Sequence, residues 1–186
     1  MGIEKEFQKV KLFSGFIYRS EFLYQAVKER LAANFSPVDL ESGLLTFDFT
    51  TYYDQEMGTP LFRRFVSFKE LIPPEQLPGI KLLTNQVELE SAREGKRIIN
   101  LDPGYLSDAN VVIATTKNYY QRIPLQKGIY AHMEYVIKGK SLCPLEWTYP
   151  DFKSAGYLDF FQRLLQLYKR EIKEMRKKYT NRQAEQ

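Results

Sequence analysis

In 186 residues the chain has one cysteine, Cys143, one histidine, His132, and one tryptophan, Trp147. A single cysteine excludes an internal disulfide and any cysteine-based metal site, and it makes a reducing, cytoplasmic setting the expectation. A single histidine excludes a His-rich metal site and leaves His132 as the one imidazole available for acid or base work. Long apolar runs are also missing: "NVVIATT" and "GLLTFDF" are strand-sized, so no membrane span is expected. The start, "MGIEKEFQKVK", lacks an apolar signal core, and Glu6 stands where a myristoylation signal needs Ser or Thr.

What is present is an aromatic, mixed-charge composition. Aromatics make up 15% of the chain, 44% is apolar and 27% charged, which argues for a folded globular protein. At this length one domain, 1–186, can bury a sizeable core: a body over 8–156, a C-terminal helix over 157–179 and a flexible tail over 180–186. The net charge of +4 is unevenly placed. Residues 153–186 hold nine Lys/Arg against four Asp/Glu, so the basic character belongs to the last helix and not to the body.

Periodicity gives an α+β order. "VKLFSGFIYR" (10–19) reads as a strand buried on both faces, and "SEFLYQAVKERLAANF" as a helix capped by Ser20. "SPVDLES" reads as loop, "GLLTFDFT" (43–50) as an alternating strand and "LFRRFVSFKEL" (61–71) as another. A helix over roughly 79–94 closes at Gly95, and "KRIINL" is a strand. The polar "NLDPGYL" is expected to turn the chain, after which "ANVVIATT" and a hairpin with "KGK" at its tip continue the sheet. The first half is therefore a ferredoxin-like βαββαβ start, extended by antiparallel strands and a long C-terminal helix.

Familiar nucleotide motifs fail on inspection. "KGKS" (138–141) resembles the end of a phosphate loop, but Glu134 occupies the required Gly position and strands flank it on both sides. Tyr105 and Tyr119 stand where two further GTPase motifs need Gly and Asp. His132 reads as a half-exposed sheet residue sharing a face with Tyr130 and Glu134. Trp147, Tyr149 and Phe152 read as an aromatic plug docking the last helix, with a substrate-stacking wall as the alternative.

The candidate ligand-binding residues are Asp48, Tyr53, Glu56, Asn100, Asp102, Tyr105, Lys117 and Arg122. They would line a cleft between the 47–58 and 100–122 segments, with strand-end corners as its walls. Cations beside aromatics suit a small anionic or nucleotide-like ligand. Asp48 and Asp102 form a candidate oxygen-ligand pair for Mg2+, with pairing to Arg63, Arg64 or Arg122 as the alternative. On adjacent strand positions Arg63 and Arg64 must face opposite ways.

The last helix repeats Leu158, Phe161, Leu165, Tyr168, Ile172, Met175 and Tyr179 at heptad spacing, with basic residues around them. Its apolar stripe narrows beyond Tyr168, so the second half is expected to project and to meet RNA or a protein partner.

At "FDFTTYYDQEMG", "NLDPGYL", "ATTKNYYQRI", "GIYAHMEY" and "WTYPDFKS" the chain resembles a family of uncharacterised prokaryotic proteins, the domain of unknown function numbered 4416, over about residues 8–175. Members are sometimes labelled GTP-binding, a label the motifs here do not support. Relatives often place a His before the Arg of "QRI", where this chain has Gln121. The resemblance implies no catalytic residue.

Overall fold

A computed structural model describes residues 2–184, with side chains described as far as Lys177. The order is β1 (Val10–Tyr18), α1 (Glu21–Asn34), β2 (Val38–Glu41), β3 (Leu45–Thr46), α2 (Asp54–Met57) and β4 (Phe62–Ile72). Then follow α3 (Leu77–Ser91), β5 (Ile99–Leu106), β6 (Asn110–Thr115), β7 (Ile123–Pro124), β8 (Tyr130–Lys138), β9 (Ser141–Pro144) and α4 (Ala155–Ala184).

The strands form one antiparallel sheet in the order β2-β4-β1-β5-β6-β8-β7, with β3 beside β4 and β9 beside β8. The run β2-β4-β1-β5 is the ferredoxin-like unit: β4 lies between β1 and β2, and β5 adds on the other side of β1. The remaining strands extend it, so the expected α+β architecture is the observed one.

β1 is apolar on both faces because both faces are covered. Leu12, Phe16 and Tyr18 pack with Tyr24, Val27 and Leu31 of α1 and with Ile80 and Val87 of α3. On the other face Phe13 meets Phe161 of α4 edge-on at 5.0 Å. α4 buries Tyr157, Phe160, Phe161, Leu164, Leu165, Tyr168 and Ile172, each worth about 1.5–3 kcal/mol of transfer free energy. Ser20 caps α1 by accepting the Leu23 N–H at 3.3 Å. Among the described residues no helix is long and apolar enough to cross a membrane.

Several local readings change. "SPVDLES" contains β2, and of the expected 43–50 strand only Leu45–Thr46 pairs, so two short pieces share β4 as partner. "NLDPGYL" does not turn: Asn100 to Leu106 lie inside β5, and the turn follows at Ser107, whose N–H bonds the Asn110 carbonyl. Two circumstances admit Pro-Gly in a strand. Residue 103 directs its nitrogen away from β1, on an edge where no strand pairs, so a missing N–H costs nothing there. At Gly104 a Cβ would stand 2.3 Å from the Val112 carbonyl oxygen, so only glycine lets β6 approach.

His132 is fully buried instead of half exposed. The β6–β8 register shifts between Val111 and Val112, a bulge that puts both His132 and Tyr135 toward the α4 side. "KGKS" is a tight hairpin: Lys138 pairs with Ser141, and Gly139 has φ 63°. α4 keeps contact with the body one turn beyond Tyr168, since Ile172 is buried and Glu171 bonds Lys11 at 2.7 Å. The expected tail over 180–186 is helical as far as Ala184, and 185–186 lie outside the described residues. The side chain of Tyr179 also lies outside them.

Candidate functional site: a cleft between splayed strands

β5 and β6 pair only over Gly104–Leu106 with Val111–Ile113. Beyond that, β5 runs back along β1 while β6 stays with β8, and the two strands part. The opening would leave the Leu101 backbone unpaired. α3 supplies the missing partners: Glu88 Oε1 accepts the Leu101 N–H at 2.7 Å, and Lys81 Nζ donates to the Leu101 carbonyl at 2.7 Å. Between the strands is a cavity of about 370 Å³.

One wall is Asn100 and Asp102 of β5; the other is Ile113 to Thr115 of β6, continued by Thr116 and Lys117. Phe47, Phe49, Thr50, Tyr52 and Tyr53 close one side, and Tyr149 to Phe152 another. Lys81, Asn85 and Glu88 of α3, Arg63 of β4, Ile17 of β1 and Arg97 complete it.

The charges inside are organised around two arginines. Arg63, almost wholly buried, donates from Nη1 to Asp102 Oδ2 at 2.7 Å. Its guanidinium lies 4.7 Å from the Phe65 ring and 5.5 Å from Tyr157. Asn100 donates to the other Asp102 oxygen at 3.0 Å. Burial by itself would raise the Asp102 carboxyl, but Arg63, Lys81 and the Asn100 bond outweigh it and hold the group below its ordinary range. Arg97 grips Glu56 through two nitrogens, at 2.9 and 2.7 Å, and donates to Asn100 at 3.1 Å. That grip lowers the Glu56 carboxyl.

Other groups move the opposite way. Burial pushes Glu88 up despite Lys81, and Asp151 up despite Arg63. Asp151 accepts from the Phe152 N–H at 3.1 Å and from the Tyr157 hydroxyl at 3.3 Å. Asp102, held below the usual carboxylate range, and Asp151, pushed above it, are two carboxyls of one cleft shifted in opposite directions. At the mouth, the Lys117 ammonium lies 4.1 Å from the centre of the Tyr52 ring and lowers the Tyr52 hydroxyl.

Of the expected residues, the cleft gathers Tyr53, Asn100, Asp102 and Lys117. Glu56 supports it from behind through Arg97. Arg122 braces the mouth, donating to the Lys117 carbonyl at 2.6 Å and to the Tyr149 hydroxyl at 2.5 Å. Tyr105 faces the other side of the sheet, beside Leu77, Val112 and Ala114. Asp48 is exposed and does not line the cavity. Both Asp102 oxygens accept bonds from Arg63 and Asn100, and among the described residues no three His, Cys, Asp or Glu are grouped to hold a metal. A Mg2+ site on Asp48 and Asp102 therefore finds no support in this geometry.

The reading from sequence missed Lys81, Glu88, Arg97 and Asp151. A signal existed for the first two: Lys81, Asn85 and Glu88 are spaced four and three, a polar stripe on one face of α3. Arg97 and Asp151 carried no such pattern. Tyr149 and Phe152 combine both sequence alternatives, since Phe152 packs on Phe161 at 5.6 Å while both line the cavity.

A family model described as "Domain of unknown function (DUF4416)" matches residues 8–168. No curated protein and no solved structure matches the chain.

Proposed function

For a chain that belongs to the DUF4416 family, whose description carries no activity, we propose a binding function: the cleft takes a small anionic ligand with a planar ring, a nucleotide being the class that joins both features. The observation that carries this reading is Lys117. It stands at the mouth of the cavity, beside Tyr52, and among the described residues it forms no ion pair with a carboxylate, whereas Arg63 and Arg97 each hold one. Its charge is thus available to a phosphate or carboxylate. Tyr52, Tyr53, Phe49 and Tyr149 supply ring faces beside it. The volume is at the small end of small-molecule sites, room for one such ligand.

The test is a thermal-shift panel of nucleotides, sugar phosphates and dicarboxylates on the wild type and on Lys117→Ala. A ligand that raises the melting temperature of the wild type and loses most of that effect in the variant supports the reading. Absence of any shift across the three classes refutes it.

A second reading concerns α4. Its described side chains after Ile172, Lys173 to Lys177, are exposed, Met175 by 46%, in a run rich in Lys and Arg. We propose this end as the alternative surface for RNA or a protein partner. Truncation after Ile172, followed by light scattering and RNA binding at two salt levels, checks it.

A further inference from the structure

The rim of the cleft is more aromatic and more basic than the cavity requires. Tyr119 is 58% exposed, Tyr120 77% and Ile123 61%, on the segment that leads from β6 through β7. From Ala109 to Met133 the chain has no Asp or Glu, and it carries Lys117, Arg122 and Lys127. These residues are physically joined to the cavity. The Arg122 guanidinium lies 6.0 Å from the Tyr119 ring while its nitrogens hold the Lys117 carbonyl and the Tyr149 hydroxyl. Tyr119 and Tyr120 are 4.9 Å apart between ring centres. A continuous path therefore runs from Lys117, Tyr52 and Tyr149 at the mouth to two exposed tyrosines outside it.

We propose that this rim binds an extended single-stranded nucleic acid, with Tyr119 and Tyr120 stacking the bases that follow the nucleotide seated in the cavity. Exposed rings interleaved with cations, and free of acidic neighbours in the segment, match a strand with a negative backbone and open base faces. A duplex keeps its base faces covered and offers the rings nothing to stack on. The cavity has room for one nucleotide, so the remainder of a strand must lie on this rim. The placement of that one nucleotide rests on the binding reading above; the platform itself rests on the rim.

The test uses the whole protein, fluorescence anisotropy with a labelled six-nucleotide RNA and DNA, the corresponding duplex, and the mononucleotide in thermal shift. The single strand is expected to bind at least about tenfold tighter than the mononucleotide, given the usual worth of stacking per base. Tyr119→Ala/Tyr120→Ala should erase that advantage while leaving the mononucleotide response unchanged, and Tyr119→Phe/Tyr120→Phe should retain it. Equal binding of duplex, displacement by polyglutamate as readily as by nucleic acid, or indifference to the alanine pair would overturn the proposal. Absence of single-strand binding by the wild type, with its mononucleotide response intact, sinks the platform alone. Tyrosine-sensitive strand binding with no mononucleotide response upholds the platform and sinks the cavity reading.

Discussion

Replacing Asp102 with Asn removes the charge that balances Arg63 and leaves the shape of the site nearly unchanged. The Arg63 side chain is 2% exposed and that of Asp102 23%, at a separation of 2.7 Å. Leaving one member of a buried pair uncompensated costs about 3–5 kcal/mol. Two features reduce that cost: Asp102 keeps some contact with water, and Asp151 also acts electrostatically on Arg63. The expected loss at pH 7 is therefore about 2–3 kcal/mol, below the usual range for a fully buried pair. Its pH dependence follows from the lowered folded pKa of Asp102. The stabilisation is complete above the unfolded value of about 3.9 and is lost as pH falls through the lower folded value. Glu88 and Asp151 run the other way: their ionisation costs stability as pH rises, chiefly through burial, which both proteins share, with a smaller contribution from the Asp102 charge that the variant lacks. Urea denaturation followed by circular dichroism at pH 7, 5 and 3 should show a wild-type advantage that is steady at the first two and smaller at the third. A gap under about 0.5 kcal/mol at pH 7, or one that is the same at pH 3, would refute the account of the pair.

Lys11 is fully buried and bridges Asp39 at 2.5 Å and Glu171 at 2.7 Å, so Lys11→Met should destabilise by about 2–4 kcal/mol at neutral pH and by less at pH 4 in the same urea assay. Gly104→Ala drives a Cβ into the Val112 carbonyl and the Phe13 ring, and should cost at least about 3 kcal/mol or prevent folding, as judged by soluble yield and melting temperature. Truncation after Ile172 removes exposed described side chains, among them Arg176 with its surface contacts to Gln8 at 2.8 Å and Asp108 at 3.8 Å, and should change stability by less than about 1 kcal/mol, whereas truncation after Leu167 should unfold the protein. Lys140→Ala alters an exposed hairpin tip and should leave any nucleotide response in thermal shift unchanged.

The frame was legible because it rests on periodicity. The doubly apolar β1, the Ser20 cap and the heptad start of α4 each report a local rule, and together they dictate the ferredoxin-like order. The opposite facing of Arg63 and Arg64 was readable too: Arg63 bonds Asp102 on one face, Arg64 bonds Glu21 and Glu41 on the other. What escaped depends on the partner across the sheet. Pro103-Gly104 reads as a turn unless one knows that its edge is unpaired and that β6 presses close at 104. The β8 bulge brought Tyr135 to the side of His132, because alternation fails wherever one residue is inserted, while Glu134 stays 3.3 Å from His132 on the expected face. Tyr105 fell on the wrong face for the cleft because the expected turn put no constraint on its direction, while strand alternation with Asp102 does. Arg97 joins Glu56 across 41 positions of sequence, a pairing that no local pattern announces.

Isothermal titration of wild type and Lys117→Ala with the nucleotide that most raises the melting temperature addresses the binding claim most directly. A single site is predicted, weakened about tenfold in the variant, the usual worth of one charge-assisted bond, with a shallower salt dependence. Equal affinity in the two proteins, or heats that do not saturate at one ligand per chain, would contradict it.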